Sequence, residues 1–121
     1  MSNTNEFYYL LKNEKIAEFN LSVEGLKDYD LRDVNLRGRN LQKANLKYAD
    51  LRGAYLSHCG LKGVNLSMAN LECVSMHMAR VSGAYFPKNI SALEIKNSVN
   101  IGTRIRTSDN DNIHESSELI V

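Results

Sequence analysis

Ala44-Asn45-Leu46-Lys47-Tyr48-Ala49-Asp50-Leu51-Arg52-Gly53 carries one five-residue pattern twice: a small residue, Asn or Asp, Leu, then two variable positions. Outward from it, Leu returns at Leu21, Leu26, Leu31, Leu36, Leu41, Leu46, Leu51, Leu56, Leu61, Leu66 and Leu71. Met76, Val81 and Phe86 continue the beat, and Ile16 stands one step before it. These positions, Leu21 to Phe86, are the predicted core ladder. The position two before each Leu reads Val34, Arg39, Ala44, Ala49, Ala54, Cys59, Val64, Ala69, Val74, Ala79 and Ala84, small and apolar except for Arg39. Between the two registers lie Asp30, Asn35, Asn40, Asn45, Asp50, Asn65 and Asn70.

Neither regular element can bury this pattern. A helix advances about 100° per residue, so steps of five scatter the leucines around its cylinder. A strand alternates with period two, so an odd step sends successive leucines to opposite faces. The chain must therefore turn once per repeat. A short extended piece carries the small residue and the Leu inward, with Asn or Asp pointing outward, and a corner follows. Gly38, Gly53, Gly63 and Gly83 fall on the third residue of such corners, where a type II turn requires φ > 0. Lys43, Tyr48, His58 and Met68 occupy the same place in other corners, and these are expected to use another turn type. Four sides close after about 20 residues, and successive coils then pair as parallel strands about 4.8 Å apart. Leu31, Leu51 and Leu71 form one predicted column, and Leu36, Leu56 and Met76 another.

Segments such as Ala44-Asn45-Leu46-Lys47-Tyr48, Ala49-Asp50-Leu51-Arg52-Gly53 and Ala69-Asn70-Leu71-Glu72-Cys73 resemble the A-(D/N)-L-X-X unit of pentapeptide repeat proteins. The resemblance runs over residues 21–90 without insertion. It implies an all-β fold, a right-handed quadrilateral parallel β-helix of about three and a half coils, and the handedness agrees with the general rule for parallel crossovers. Arg39 departs most from the unit, since a buried guanidinium is costly without a partner. Its corner is expected to splay and its side chain to reach out to solvent.

A solenoid needs covers for its two open ends. The segment Asn5–Lys12 reads as a short amphipathic helix with an N-cap among Asn3 to Asn5, giving a helical cap over residues 1–15 and a repeat body over 16–90. Pro87 breaks the repeat. Asn89 or Ser91 caps a helical turn through Lys96, and residues 99–106 alternate like a strand, so 91–106 is the C-terminal cap. Residues 107–121 read as a polar, mobile tail with an apolar tip, Leu119-Ile120-Val121.

The 121 residues carry 15 Lys and Arg against 14 Asp and Glu, a net charge of +1. This balance gives no electrostatic reason to expect nucleic acid or a membrane as partner. The apolar run Phe7–Leu11 is too short to span a bilayer, Met1–Glu6 has no basic leader character, and two cysteines make no disulfide framework. A cytoplasmic location follows. His58 and Cys59 are adjacent and point apart on an extended piece, so they form no nucleophile–base pair. His58 and His77 are expected as diagonal surface neighbours without the further ligands a metal needs. No catalytic residue, cofactor or metal site is read from the sequence.

Within residues 21–90, ten Lys and Arg face six Asp and Glu. The candidate partner surface is Arg32, Arg37, Arg39, Lys43, Lys47, Tyr48, Arg52 and Tyr55, with Tyr85 also facing outward. The function read from the residues is a non-enzymatic protein-interaction module with an unidentified protein partner, monomeric rather than homodimeric. The alternative implied by the resemblance is a DNA-mimicking modulator of a type II topoisomerase, which a short and basic coil body disfavours.

Overall fold

A computed structural model describes residues 4–108, without the side chains of Thr4 and Asn5. Two helices, α1 (Thr4–Lys12) and α2 (Ile16–Val23), precede the repeats. Strand β1 (Tyr29–Asp30) pairs in parallel with β2 (Ala49–Asp50) in the register Tyr29↔Ala49 and Asp30↔Asp50. The same spacing repeats in the parallel bridges Asn35↔Tyr55, Asn40↔Gly60, Asp50↔Asn70, Tyr55↔Ser75, Gly60↔Arg80 and Asn65↔Tyr85. The chain thus returns alongside itself after 20 residues on each of four sides, centred on Asp30, Asn35, Asn40 and Asn45. Helix α3 (Ala92–Ile101) follows, and Arg104 forms an antiparallel bridge with Ser75.

The nine leucines from Leu31 to Leu71 and Met76 are 0–1% exposed and fill the interior. The ladder starts later than the sequence pattern indicates. Leu21 is 72% exposed on α2 and Leu26 is 40% exposed. The predicted boundary at residue 15 also moves, because the cap has two helices and runs to Val23. α2 buries Phe19 and Val23 instead, and Phe7, Phe19 and Tyr29 meet edge to face at 6.1–6.3 Å between ring centroids. At the far end Val81 and Phe86 are only half-buried.

From Leu36 to Leu71 each Leu carbonyl accepts the N–H three residues on, as in Arg39 to Leu36 at 3.1 Å and Ala44 to Leu41 at 3.0 Å. The corner type is set by column, not by residue. Asp33, Gly53 and Cys73 stack 20 apart and all have positive φ; so do Gly38, His58 and Met78, and Lys43, Gly63 and Gly83. Tyr48 and Met68, whose column holds no Gly, do not. The expectation of a different turn therefore holds at Tyr48 and Met68 and fails at Lys43 and His58. The physical reason is stacking. With positive φ the third residue's N–H reaches the neighbouring rung at Asp33, to the Arg52 carbonyl at 2.9 Å, and at His58, to the His77 carbonyl at 2.8 Å, whereas Lys43 shares the φ of its column without such a bond among the described residues. A left-handed residue with a Cβ costs about 1–2 kcal/mol, and one hydrogen bond contributes about 0.5–1.5 kcal/mol, so the bond offsets much of the strain.

The Asn and Asp register also has a local task. Asp30, Asn35, Asn40, Asn45, Asp50, Asn65 and Asn70 each accept the N–H two residues on through the side-chain oxygen, at 2.9–3.4 Å. These side chains satisfy corner donors that the ladder leaves free.

The N-terminal edge is covered by side chains acting as a substitute strand. Tyr8 donates to the Asn35 carbonyl at 3.1 Å, and Glu14 Oε2 accepts from Asn40 N at 2.8 Å. Asn20 donates to the Lys43 carbonyl at 2.9 Å and accepts from Asn45 N at 2.7 Å. At the other end Ser91, not Asn89, caps α3 by accepting from Glu94 N at 3.1 Å, and Gly102 closes the helix at φ 82°. The predicted helical turn extends to Ile101, so the alternating pattern over 99–106 is strand-like only beyond Gly102. There Ile105 is fully buried and exchanges bonds with Cys73 N and the Val74 carbonyl at 2.8 and 2.9 Å. The predicted mobile tail begins too early, because Thr107 N and Oγ1 bond Glu72 Oε1 at 2.8 and 2.6 Å. The rest of it, 109–121, and the side chains of the N-cap expected among Asn3 to Asn5 lie outside what is described.

Candidate partner surface

Arg32 and Arg52 each close a fork on the Asp two residues before, as an Asp-Leu-Arg sequence allows. Arg32 Nε and Nη2 meet the Asp30 carboxylate at 2.9 and 3.0 Å. Arg52 Nε and Nη2 meet that of Asp50 at 2.9 and 2.6 Å. The two forks stack, with Arg32 Nε also 4.0 Å from Asp50 Oδ2. Hydrogen bonds from Arg52 hold the Asp50 carboxyl below the ordinary carboxylate range. These guanidiniums already have their anions, so they offer less to an incoming one than the composition suggests.

The other candidates do not join them. Arg37 is exposed at the next corner. Arg39 stays half-buried, with Nε buried and unpartnered among the described residues. Its corner does not splay: its N–H holds the Leu36 carbonyl at 3.1 Å and its carbonyl accepts from Gly60 N at 2.9 Å. Lys43 is exposed on a third corner. Lys27 and Lys47 flank the Tyr48 ring at 4.7 and 5.4 Å from its centroid, and the Lys27 ammonium lowers the pKa of the Tyr48 phenol. Tyr55 lies under the Arg104 guanidinium at 4.8 Å, and Arg104 donates to the Cys73 carbonyl at 2.6 Å. The eight residues are therefore spread around the sides and corners, and no single face collects them.

The nucleophile candidates are separated in the same way. Cys59 is fully buried and its thiol donates to the Leu36 carbonyl at 2.8 Å. Burial pushes its pKa up to about 11, the opposite of what a thiolate nucleophile requires. The His58 and His77 rings are neighbours, with centroids 6.4 Å apart. Among the described residues no group of three His, Cys, Asp or Glu is placed to hold a metal.

A feature that the repeat pattern conceals is a groove of about 760 Å³ lined by Asn65, Ser67, Met68, Ala69, Tyr85, Phe86, Pro87, Lys88 and Asn89. Met68 and Tyr85 are 61% and 63% exposed there. The groove forms where Pro87 ends the repeat on the side carrying the Tyr48 and Met68 corners. Its signal in the sequence was the coincidence of Met68, Tyr85 and Pro87 near one corner column, legible only once the 20-residue period is applied.

A family model described as pentapeptide repeats matches residues 30–67 and 49–86, with eight copies of the unit. No curated protein matches the chain. Among the described residues no helix is long and apolar enough to cross a membrane.

Proposed function

Since the chain is a pentapeptide repeat protein, we propose that its repeats wind as a right-handed quadrilateral β-helix and serve as a rigid, non-enzymatic protein-interaction module. With residues 16–23 in α2, the helix has about three coils instead of three and a half, each a unit stacked on the next. One observation carries the reading: leucines that are 0–1% exposed fill the interior from Leu31 to Leu71, so chemistry is confined to the outside. The buried columns fix the scaffold while outward side chains are free to vary, which suits recognition of a protein surface. The balanced net charge of +1 and the internal pairing of Arg32 and Arg52 favour a protein over nucleic acid. Two free cysteines, Cys59 and Cys73, suit a reducing cytoplasm.

The test is affinity capture followed by calorimetry of each recovered protein against the wild type and against variants altered on one side at a time. Saturable binding that is lost on changing one side supports the module. Binding indifferent to every side, or turnover of a captured small molecule, overturns it.

A further inference from the structure

Three lysines lie along the corner of Tyr48 and Met68. The register of Tyr29 on Ala49 sets Lys27 one rung before Lys47. Both ammoniums turn onto the Tyr48 ring, at 4.7 and 5.4 Å from its centroid, and Lys27 Nζ is 3.5 Å from the Tyr48 hydroxyl. One rung on, Met68 lines the groove together with Tyr85, Phe86, Pro87 and Lys88. None of the three lysines has an ion-pair partner among the described residues, where every pair is made by Arg32, Arg52 or Arg106. The corner's own carboxylate, Asp28, is exposed and, after Asp50, helps to raise the pKa of Arg52. Like charges held one rung apart repel each other. The corner therefore joins unneutralised positive charge to an apolar recess.

That combination selects its occupant. Carboxylates complement the lysines, and an aliphatic or aromatic side chain covers Met68, Tyr85 and Phe86, which a soluble surface otherwise leaves to water. A nucleic-acid backbone brings the charge without the apolar group. We propose that this corner binds an acidic segment of a partner protein, with carboxylates on Lys27, Lys47 and Lys88 and an apolar anchor in the groove. The proposal rests on the reading of the chain as an interaction module, and adds the corner used and the chemistry of the partner. Lys27 and Lys88 are 61 residues apart, or about three rungs, which makes about 14 Å at about 4.8 Å per rung. An extended segment of about four or five residues covers that length. Tyr48, flanked by two ammoniums, is the aromatic contact at its middle.

The experiment is an NMR titration of the full chain with short peptides of four glutamates next to three leucines, in either order. Peptides with glutamine in place of glutamate are the control, and a DNA duplex and phosphatidylserine vesicles are the competitors. Binding at the corner predicts saturable shifts of the Lys47, Tyr48, Met68 and Lys88 amides, with those of Arg37 and Lys62 unmoved. The glutamine peptides, and the double variant Lys27→Glu with Lys47→Glu, should bind roughly tenfold more weakly. Met68→Asp should weaken binding by a similar factor while the amide spectrum away from the corner stays that of the wild type. Shifts that are absent, or spread evenly over the sides, overturn the proposal. So does displacement of the peptide by the duplex or the vesicles at lower concentration than the peptide itself needs. A captured protein whose affinity is unchanged in the double variant and in Met68→Asp overturns this corner and leaves the module standing.

Discussion

Ser98 Oγ accepts the backbone N–H of Met76 at 3.0 Å, and Ser98 is completely buried. In the same column Leu36 N bonds the Tyr55 carbonyl and Leu56 N bonds the Ser75 carbonyl. A serine hydroxyl on α3 thus stands where the next strand's carbonyl would be. Ser98→Ala leaves a buried donor unmet, which costs about 1–3 kcal/mol. Chemical denaturation should show that loss, and hydrogen exchange should show the Met76 amide losing protection. An unchanged midpoint would mean that α3 does not terminate the ladder.

The position of the ladder's first rung is tested by a pair of truncations. Leu51→Ala empties a site that is 0% exposed and should cost about 2–5 kcal/mol. Leu21→Ala, at 72% exposure, should change stability by no more than about 0.5 kcal/mol. Equal costs in urea titrations would return Leu21 to the core.

The column rule for corners gives opposite signs to like substitutions. Gly63 has φ 73° and open space around its missing Cβ, so Gly63→Ala should destabilise by about 1–2 kcal/mol through backbone strain alone. Lys43→Gly, at φ 72° in the same column, relieves that strain and should be neutral or stabilising by up to about 1 kcal/mol. Met68→Gly, in the column without positive φ, should instead lose about 0.5–1 kcal/mol. Melting curves of the three variants decide it.

Asp50 links stability to acid. Its folded pKa lies below the ordinary value because of the Arg52 hydrogen bonds. The unfolded chain therefore binds its proton first as pH falls. The associated stability is full above the unfolded carboxylate pKa, about 3.9, and disappears as pH drops through the lower folded value. NMR titration of Arg52→Gln should move the Asp50 carboxyl upward, while stability at neutral pH falls by at most about 1 kcal/mol, as for other exposed pairs.

The two thiols should separate cleanly. Cys73 is exposed and Cys59 buried with its Sγ bonded to the Leu36 carbonyl. A disulfide reagent should titrate one thiol in the native protein and both in denaturant. Native reaction of both would mean that the interior opens readily.

Much of the architecture was legible because one interaction, the burial of Leu, repeats at a fixed interval. The misreadings occur where a second signal competed with it. Ile16, Leu21 and Leu26 keep the five-residue beat, yet Phe19 and Val23, four apart, are the buried pair of a helix. Val99 and Ile101 alternate like strand residues, yet Gly102 past them was the C-cap of a longer helix. The partner surface was less legible. Arg32 and Arg52 looked like free cations because the spacing that pairs each with its own Asp depends on the corner bringing positions two apart together. Arg39 was recognised as the misfit of its register, but no sequence rule showed that its corner would survive.

Because corners twenty residues apart share the sign of φ whatever residue occupies them, the chain should tolerate insertion best in one natural length. A spliced-in block of twenty residues keeps every bend beneath its like, whereas an in-frame block of five preserves the leucine pattern and still rotates all later bends by a quarter circuit. Gene duplications that lengthen such a rod without remodelling it should therefore come in whole circuits.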